Sequence, residues 1–172
     1  RQSDIHGAVI ETWSFDLQKA FDLLDHGKAL RLYHTAGING HVGRSIENWL
    51  TQRHQYIQCN KETSDLRLVN RGCIQGSVLG PSMWLIYVQS LLDRLEDENV
   101  DHYAYADDVA IVPKISTKEE IDQFNNTLDI LLKWGTDYDM KWGAHKTQRL
   151  AIRYQKCGAG KPPEMYFDGK KI

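Results

Sequence analysis

Two short apolar runs, Asp101–Tyr105 and Val109–Val112, are separated only by Ala106-Asp107-Asp108. Parallel strands need a crossover of a dozen or more residues, so a link this short joins antiparallel neighbours through a tight turn. Gln55–Cys59 and Leu66–Asn70, around the polar run Asn60–Asp65, read as a second hairpin. Segments of helical spacing alternate with these strands. The combination predicts an α+β fold, with antiparallel pairing dominant and helices stacked on one sheet face.

The rest of the chain fits that frame. Ala8–Phe15 is rich in β-branched and aromatic residues and reads as a strand ending at Asp16. A helix is expected over 22–35, with Leu23, Gly27, Leu30 and His34 on one side, stopping at Gly37. Val42, Ile46, Trp49 and Leu50 mark another across 41–52. Pro81 fits the first turn of a long helix whose apolar positions are Trp84, Tyr87, Val88, Leu91, Leu92 and Leu95. Thr117 with Glu120 forms a capping box for a helix carrying Ile121, Phe124, Leu128 and Leu131 to about Trp134. Arg149–Tyr154 and Met165–Phe167 are weaker strand signals, joined by the loop Cys157–Pro163. The five tryptophans, Trp13, Trp49, Trp84, Trp134 and Trp142, fall at core positions of these elements.

Composition narrows the function classes. With 21 Lys plus Arg against 23 Asp plus Glu, the chain is no polycation, and a polyanionic partner must meet a local basic surface. Such surfaces exist in outline: residues 92–129 carry 3 basic and 11 acidic side chains, whereas 28–91 carry 7 and 3 and 130–172 carry 9 and 4. No run approaches the roughly 18 apolar residues of a membrane span, and Arg1–Gly7 is too polar for a signal peptide. A soluble intracellular protein without a membrane partner is expected, in nucleus or cytoplasm. Cys59, Cys73 and Cys157 are odd in number and lack a Cys-x-x-Cys pair, and the seven histidines show no ligand spacing, so neither a disulfide framework nor zinc is indicated.

Two elements carry chemistry. Asp16 closes an apolar strand and Asp107-Asp108 fill a strand-to-strand turn, so all three acids can share one sheet edge without being buried. Oxygen-only donors suit magnesium, which keeps phosphate and water in its remaining positions. Two such ions about 3.5–4 Å apart can activate an attacking hydroxyl and neutralise a departing pyrophosphate. An Asp-Asp pair is also ordinary turn chemistry. The second element is Gly72-Cys-Ile-Gln-Gly-Ser-Val-Leu-Gly-Pro81, whose glycines let the backbone approach a base or phosphate beside the exposed amide of Gln75. Glycine and proline mark plain strand-to-helix connections as well.

Together, Phe15-Asp-Leu-Gln-Lys-Ala-Phe-Asp22, the 72–81 segment and Tyr105-Ala-Asp-Asp108 resemble the first three palm motifs of reverse transcriptases, particularly those of non-LTR retrotransposons. Trp49-Leu-Thr-Gln-Arg53 and His145-Lys-Thr147, the latter in the place of the fourth palm motif, extend the resemblance over roughly residues 13–152. It implies a polymerase palm that adds deoxynucleotides to a DNA primer on an RNA template with two Mg2+ ions, for which Mn2+ can substitute. It makes Asp16 and Asp107 the metal-bridging carboxylates and Asp108 their auxiliary neighbour. Leu17, Gln18, Lys19 and Ala20 would face the triphosphate through their backbone, Phe21 would gate the sugar, and Gln75 and Gly76 would line the nucleotide and template pocket. Lys146 would be the general acid for pyrophosphate; a solvated surface lysine is the plain alternative. Where the family usually has Val-Pro, this chain has Cys73-Ile74. By the same resemblance residues 1–172 form one palm-centred fragment, with fingers largely missing and the thumb absent, whose partners include those segments of a longer polyprotein. Two other readings are a catalytically silent polymerase-like scaffold binding nucleic acid or protein, and an RNA-templated RNA polymerase.

Overall fold

The computed structural model describes residues 9–153 and 165–171. Arg1–Gly7, Tyr154 and the Cys157–Pro163 loop with its cysteine lie outside the described residues. In chain order the elements are β1 (Val9–Gln18), α1 (Ala20–Leu23), α2 (His26–Thr35), α3 (Gly40–Leu50), β2 (Arg53–Gln55), β3 (Gln58–Cys59), β4 (Glu62–Thr63), β5 (Arg67–Val69), α4 (Leu79–Asp97), β6 (His102–Tyr105), β7 (Asp108–Ile111), α5 (Lys118–Asp137), β8 (Lys141–Trp142), β9 (Gln148–Arg153), β10 (Tyr166–Phe167) and β11 (Lys170–Lys171). They fall into two compact units.

The first unit comprises residues 1–18, 91–137 and 141–172. Its centre is β1, where Glu11, Trp13, Phe15 and Leu17 are buried while Thr12, Ser14, Asp16 and Gln18 on the other face are half-buried. That alternation is the two-residue period of a strand with one face on the core. All pairing is antiparallel: β6 lies on β7, β7 on one side of β1, and β9 followed by β8 on its other side. The strand does not end at Asp16, as expected, but runs two residues further. Leu17 and Gln18 pair with Trp142 and Lys141, and the Leu17 N–H donates to the Asp107 carbonyl at 3.3 Å. A two-residue partner such as β8 is too short to leave a periodic signal in sequence.

Helix α5 closes the buried face. Its expected capping box is present, with the Glu120 N–H donating to Thr117 Oγ1 at 3.2 Å and Glu120 Oε2 accepting from the Thr117 N–H at 3.0 Å. Phe124 meets Trp13 at 5.7 Å between ring centroids, Trp134 meets Trp142 at 6.1 Å, and Phe15 meets Phe167 at 4.8 Å. The buried indole N–H of Trp142 donates to the Leu131 carbonyl at 2.9 Å, which satisfies a polar atom that this aromatic core would otherwise strand. Glu11 is also buried, at 4% exposure, and Arg149 on β9 answers it with two guanidinium hydrogen bonds and lies over the Trp13 ring.

The second unit comprises residues 19–90 and 138–140. The single helix expected over 22–35 is two helices. Asp25 adopts an extended conformation (φ -76°, ψ 123°) and its side chain accepts from the Lys28 N–H at 2.8 Å, starting α2 afresh. The restart moves the buried side from Leu23, Gly27, Leu30 and His34 to His26, Ala29 and Tyr33. Helix α3 buries Gly43, Ile46 and Leu50 and leaves Val42 exposed. The expected hairpin exists as two nested pairs, β2 with β5 and β3 with β4, turning at Asn60, whose φ of 57° suits asparagine. Part of the polar run 60–65 is therefore strand, because Glu62 and Thr63 pair with Cys59 and Gln58. Between Leu79 and Ser90, α4 buries Met83, Trp84, Tyr87 and Val88, and Pro81 sits in its first turn. Of the five tryptophans four are buried and Trp49 is half-buried, with the Arg53 guanidinium 5.9 Å over its ring.

Candidate active site

In the first unit the acidic residues converge through strand register. Asp16 pairs with Asp108 across β1 and β7, and Asp108 pairs with Tyr105 across β7 and β6. Directly paired residues project to the same face, so Asp16 and Asp108 share the face opposite the core. Asp107 stands in the turn with Ala106, a residue at φ 54°. The left-handed conformation of Ala106 is unfavourable for a side chain with a Cβ, and it sits where a two-residue link must reverse the chain. Asp107 is half-buried and Asp108 is exposed. The register thus sets Asp16 opposite Asp108 with Asp107 in the adjoining turn, and Asp16, expected to stay unburied, has a side chain only 20% exposed.

Lys146 belongs to the same place. The turn 143–146 is fixed by the Gly143 N–H donating to the Asp16 carbonyl at 2.8 Å and the Lys146 N–H donating to the Gly143 carbonyl at 2.6 Å. Lys146 Nζ donates to Asp16 Oδ1 at 3.1 Å and lies 2.9 Å from Oδ2. Oδ2 is buried and accepts no hydrogen bond, the ammonium being close to it but poorly aligned. Gly143 makes room for this carboxylate, since a Cβ there would fall 2.8 Å from Asp16 Oδ2. Composition and motif gave no hint of Gly143; its only sequence signal is a glycine directly after an apolar tryptophan and three residues before Lys146.

The donor set suits a hard divalent cation in kind, because Asp16, Asp107 and Asp108 offer only oxygen and one Asp16 oxygen is buried without a donor. Among the described residues, however, no three His, Cys, Asp or Glu side chains stand close enough together to hold a metal ion. Asp16 is turned to Lys146 instead.

The remaining expected site residues are divided between the end of β1 and the second unit. Leu17 and Gln18 end β1 in the first unit, whereas Lys19, exposed and left-handed at φ 50°, and buried Ala20 begin the second. Phe21 is half-buried, its ring 5.9 Å from that of Trp84. Gln75 is exposed, and its amide donates to Asp22 Oδ1 at 2.9 Å. Gly72 and Gly76 have φ of 76° and 79°, and a Cβ on Gly72 would fall 2.8 Å from the Asp22 carbonyl oxygen. Only glycine meets both demands at Gly72. The start of the loop is tied down by the Gly72 N–H to Leu24 O at 2.7 Å and the Cys73 N–H to Phe21 O at 3.0 Å. Its Gly72 carbonyl accepts from Arg53 Nη2 and from His26 Nε2. Burial holds the His26 imidazole below its usual range, against the pull of the Gly72 carbonyl, and burial also pushes the Cys73 thiol up. His26 is a site-supporting residue that sequence reading passed over, since a lone histidine in a helix has no motif.

The family described as reverse transcriptase (RNA-dependent DNA polymerase) matches residues 5–166. A retrovirus-related Pol polyprotein from the type-1 retrotransposable element R1 2 of Nasonia vitripennis is 35% identical over 83 residues, covering 48% of this chain and 20% of that protein. The RNA-directed DNA polymerase from the mobile element jockey of Drosophila melanogaster is 23% identical over 167 residues, covering 91% of this chain and 17% of that protein. Among solved structures, Candida tropicalis telomerase in complex with a fragment of telomeric RNA superposes with a TM-score of 0.68 at 14% identity, covering 99% of this chain and 29% of that one. That likeness is one of fold. The chain spans about a fifth of the length of the relatives it matches. Because the family match runs through β1, the glycine loop, the acidic turn and the Lys146 turn, the chain belongs to the reverse transcriptases.

Proposed function

We propose that this chain is the palm of an RNA-directed DNA polymerase, which transfers deoxynucleotides to a DNA primer 3′-hydroxyl on an RNA template. The observation that supports it most is the register that sets Asp16 opposite Asp108 with Asp107 in the adjoining turn. In this reading Asp16 and Asp107, with Asp108 beside them, hold two Mg2+ ions, or Mn2+ in their place. Bound there, divalent ions would lower the pKa of the attacking hydroxyl and offset charge on the leaving pyrophosphate.

This chain's own residues do the rest. The backbone of Leu17 to Ala20 faces a triphosphate, with the Leu17 N–H already held by the Asp107 carbonyl and the left-handed Lys19 redirecting the chain. Phe21 places a ring under the sugar, where a 2′-hydroxyl would clash. Gln75 and Gly76 offer an amide and bare backbone to base and template. Lys146 gives its proton to the departing pyrophosphate. The polymerase works inside the cell with the fingers and thumb of a longer polyprotein. Primer extension by that polyprotein on RNA with the four deoxynucleotides tests the reading, and Asp107→Asn must abolish it; persistent extension in the variant would refute the assignment. A silent scaffold is the second reading, favoured by the absence of a three-ligand cluster among the described residues. A divalent-ion titration that shows no dependence on Asp16 or Asp107 would select it.

A further inference from the structure

We infer that Lys146 is the resident counter-ion of Asp16 and that Gly143 shapes the notch in which the two meet, so that a divalent ion can take Asp16 only by displacing the lysine. This rests on the proposed metal role of Asp16 and adds to it two positioning residues. Three observations carry it. Lys146 Nζ reaches both Asp16 oxygens, at 3.1 and 2.9 Å. The Asp16 side chain is only 20% exposed, and its Oδ2 is buried without a hydrogen bond, so this oxygen is desolvated yet uncommitted to any aligned donor. The turn that brings Lys146 there hangs on the Asp16 backbone through Gly143, which no residue with a Cβ could replace without pushing on Oδ2.

A desolvated carboxylate oxygen is costly unless a positive charge stands by, and here the chain supplies its own. Lysine fits this duty: its flexible four-carbon stem can swing away, and the Lys146 side chain is 54% exposed. The exchange is reciprocal by linkage. Whatever favours the ammonium on Asp16 weakens the ion, and whatever seats the ion frees the ammonium. One Nζ cannot lie on Asp16 and serve pyrophosphate at once, so ion loading makes the proton donor available.

The test is Mn2+ binding to the 172-residue chain, followed by electron paramagnetic resonance, with no activity readout. Lys146→Met should bind Mn2+ about fivefold more tightly, near the upper end for a half-exposed ion pair, and Lys146→Arg should stay close to the parent. Gly143→Ala should weaken binding, with circular dichroism showing that the fold survives. Asp16→Asn should bind weakly with or without the lysine. Equal affinity of Lys146→Met and the parent, with Asp16→Asn still weak, overturns the counter-ion role and leaves the metal reading standing. Unchanged binding in Asp16→Asn overturns the metal reading itself.

Discussion

Asp16 and Asp108 are direct cross-strand partners of β1 and β7, two carboxylates set on the same outward face. Like charges in that relation repel, at roughly 0.2–1 kcal/mol. Asp108→Asn should therefore raise stability by up to about 1 kcal/mol in urea unfolding, and the gain should shrink as salt rises. A loss of stability in the variant would mean that Asp108 makes favourable contacts outweighing the repulsion.

Phe21→Ala tests the sugar gate. Steric exclusion in a pocket supplies roughly 10- to 100-fold discrimination. The variant polyprotein should lose discrimination against ribonucleotides by about that factor while keeping its deoxynucleotide rate within a few-fold. Unchanged discrimination would make Phe21 only the packing partner of Trp84.

Arg149→Met leaves Glu11 buried and uncompensated. Breaking a buried pair from one side costs about 3–5 kcal/mol, whereas replacing both members with apolar residues is close to neutral. Chemical denaturation should show a large loss for Arg149→Met, recovered in Glu11→Leu/Arg149→Met. Additive effects in that cycle would show that the two side chains act independently.

His26 sets a pH dependence. Its folded-state pKa lies below 6.5, chiefly because burial disfavours the imidazolium, so the unfolded chain binds more protons in the window between the two values. Stability from this group is complete above about pH 6.5 and declines as pH falls through that window. Asp25 works against the shift and Arg53 with it. Urea midpoints measured from pH 7.5 to 4.5 should fall more steeply for the parent than for His26→Gln. Parallel curves would show that His26 titrates normally.

Much of this was legible in the sequence where the signal was local. The Thr117–Glu120 box, the α4 and α5 faces and the acidic turn depend on residues a few positions apart, and all are found. The long-range features were not. Asp25 reads as one more polar residue in a helical stretch until its side chain is seen accepting from Lys28, and that one bond splits the helix. The 141–142 strand exists because the end of β1 offers it a free edge, a fact located elsewhere in the chain. A strand end and a strand-to-strand turn point the carboxylates to one sheet edge, yet Lys146 on Asp16 is a contact across 130 positions that no spacing rule encodes.

The pairing of β1 also orders events during synthesis. Val9 pairs with Arg153 and Ser14 with Gln148, so the strand bearing Asp16 gains this neighbour only once synthesis has reached the far end of β9. Contacts this far apart close large loops before any pairing energy is returned, which slows folding. A nascent chain halted before residue 141 would still present β1 with one edge bare, an open invitation to pair with another strand. Asp16 thus waits for β8 and β9 to be made, and a chain halted between β7 and β8 is an aggregation hazard instead of a partial fold.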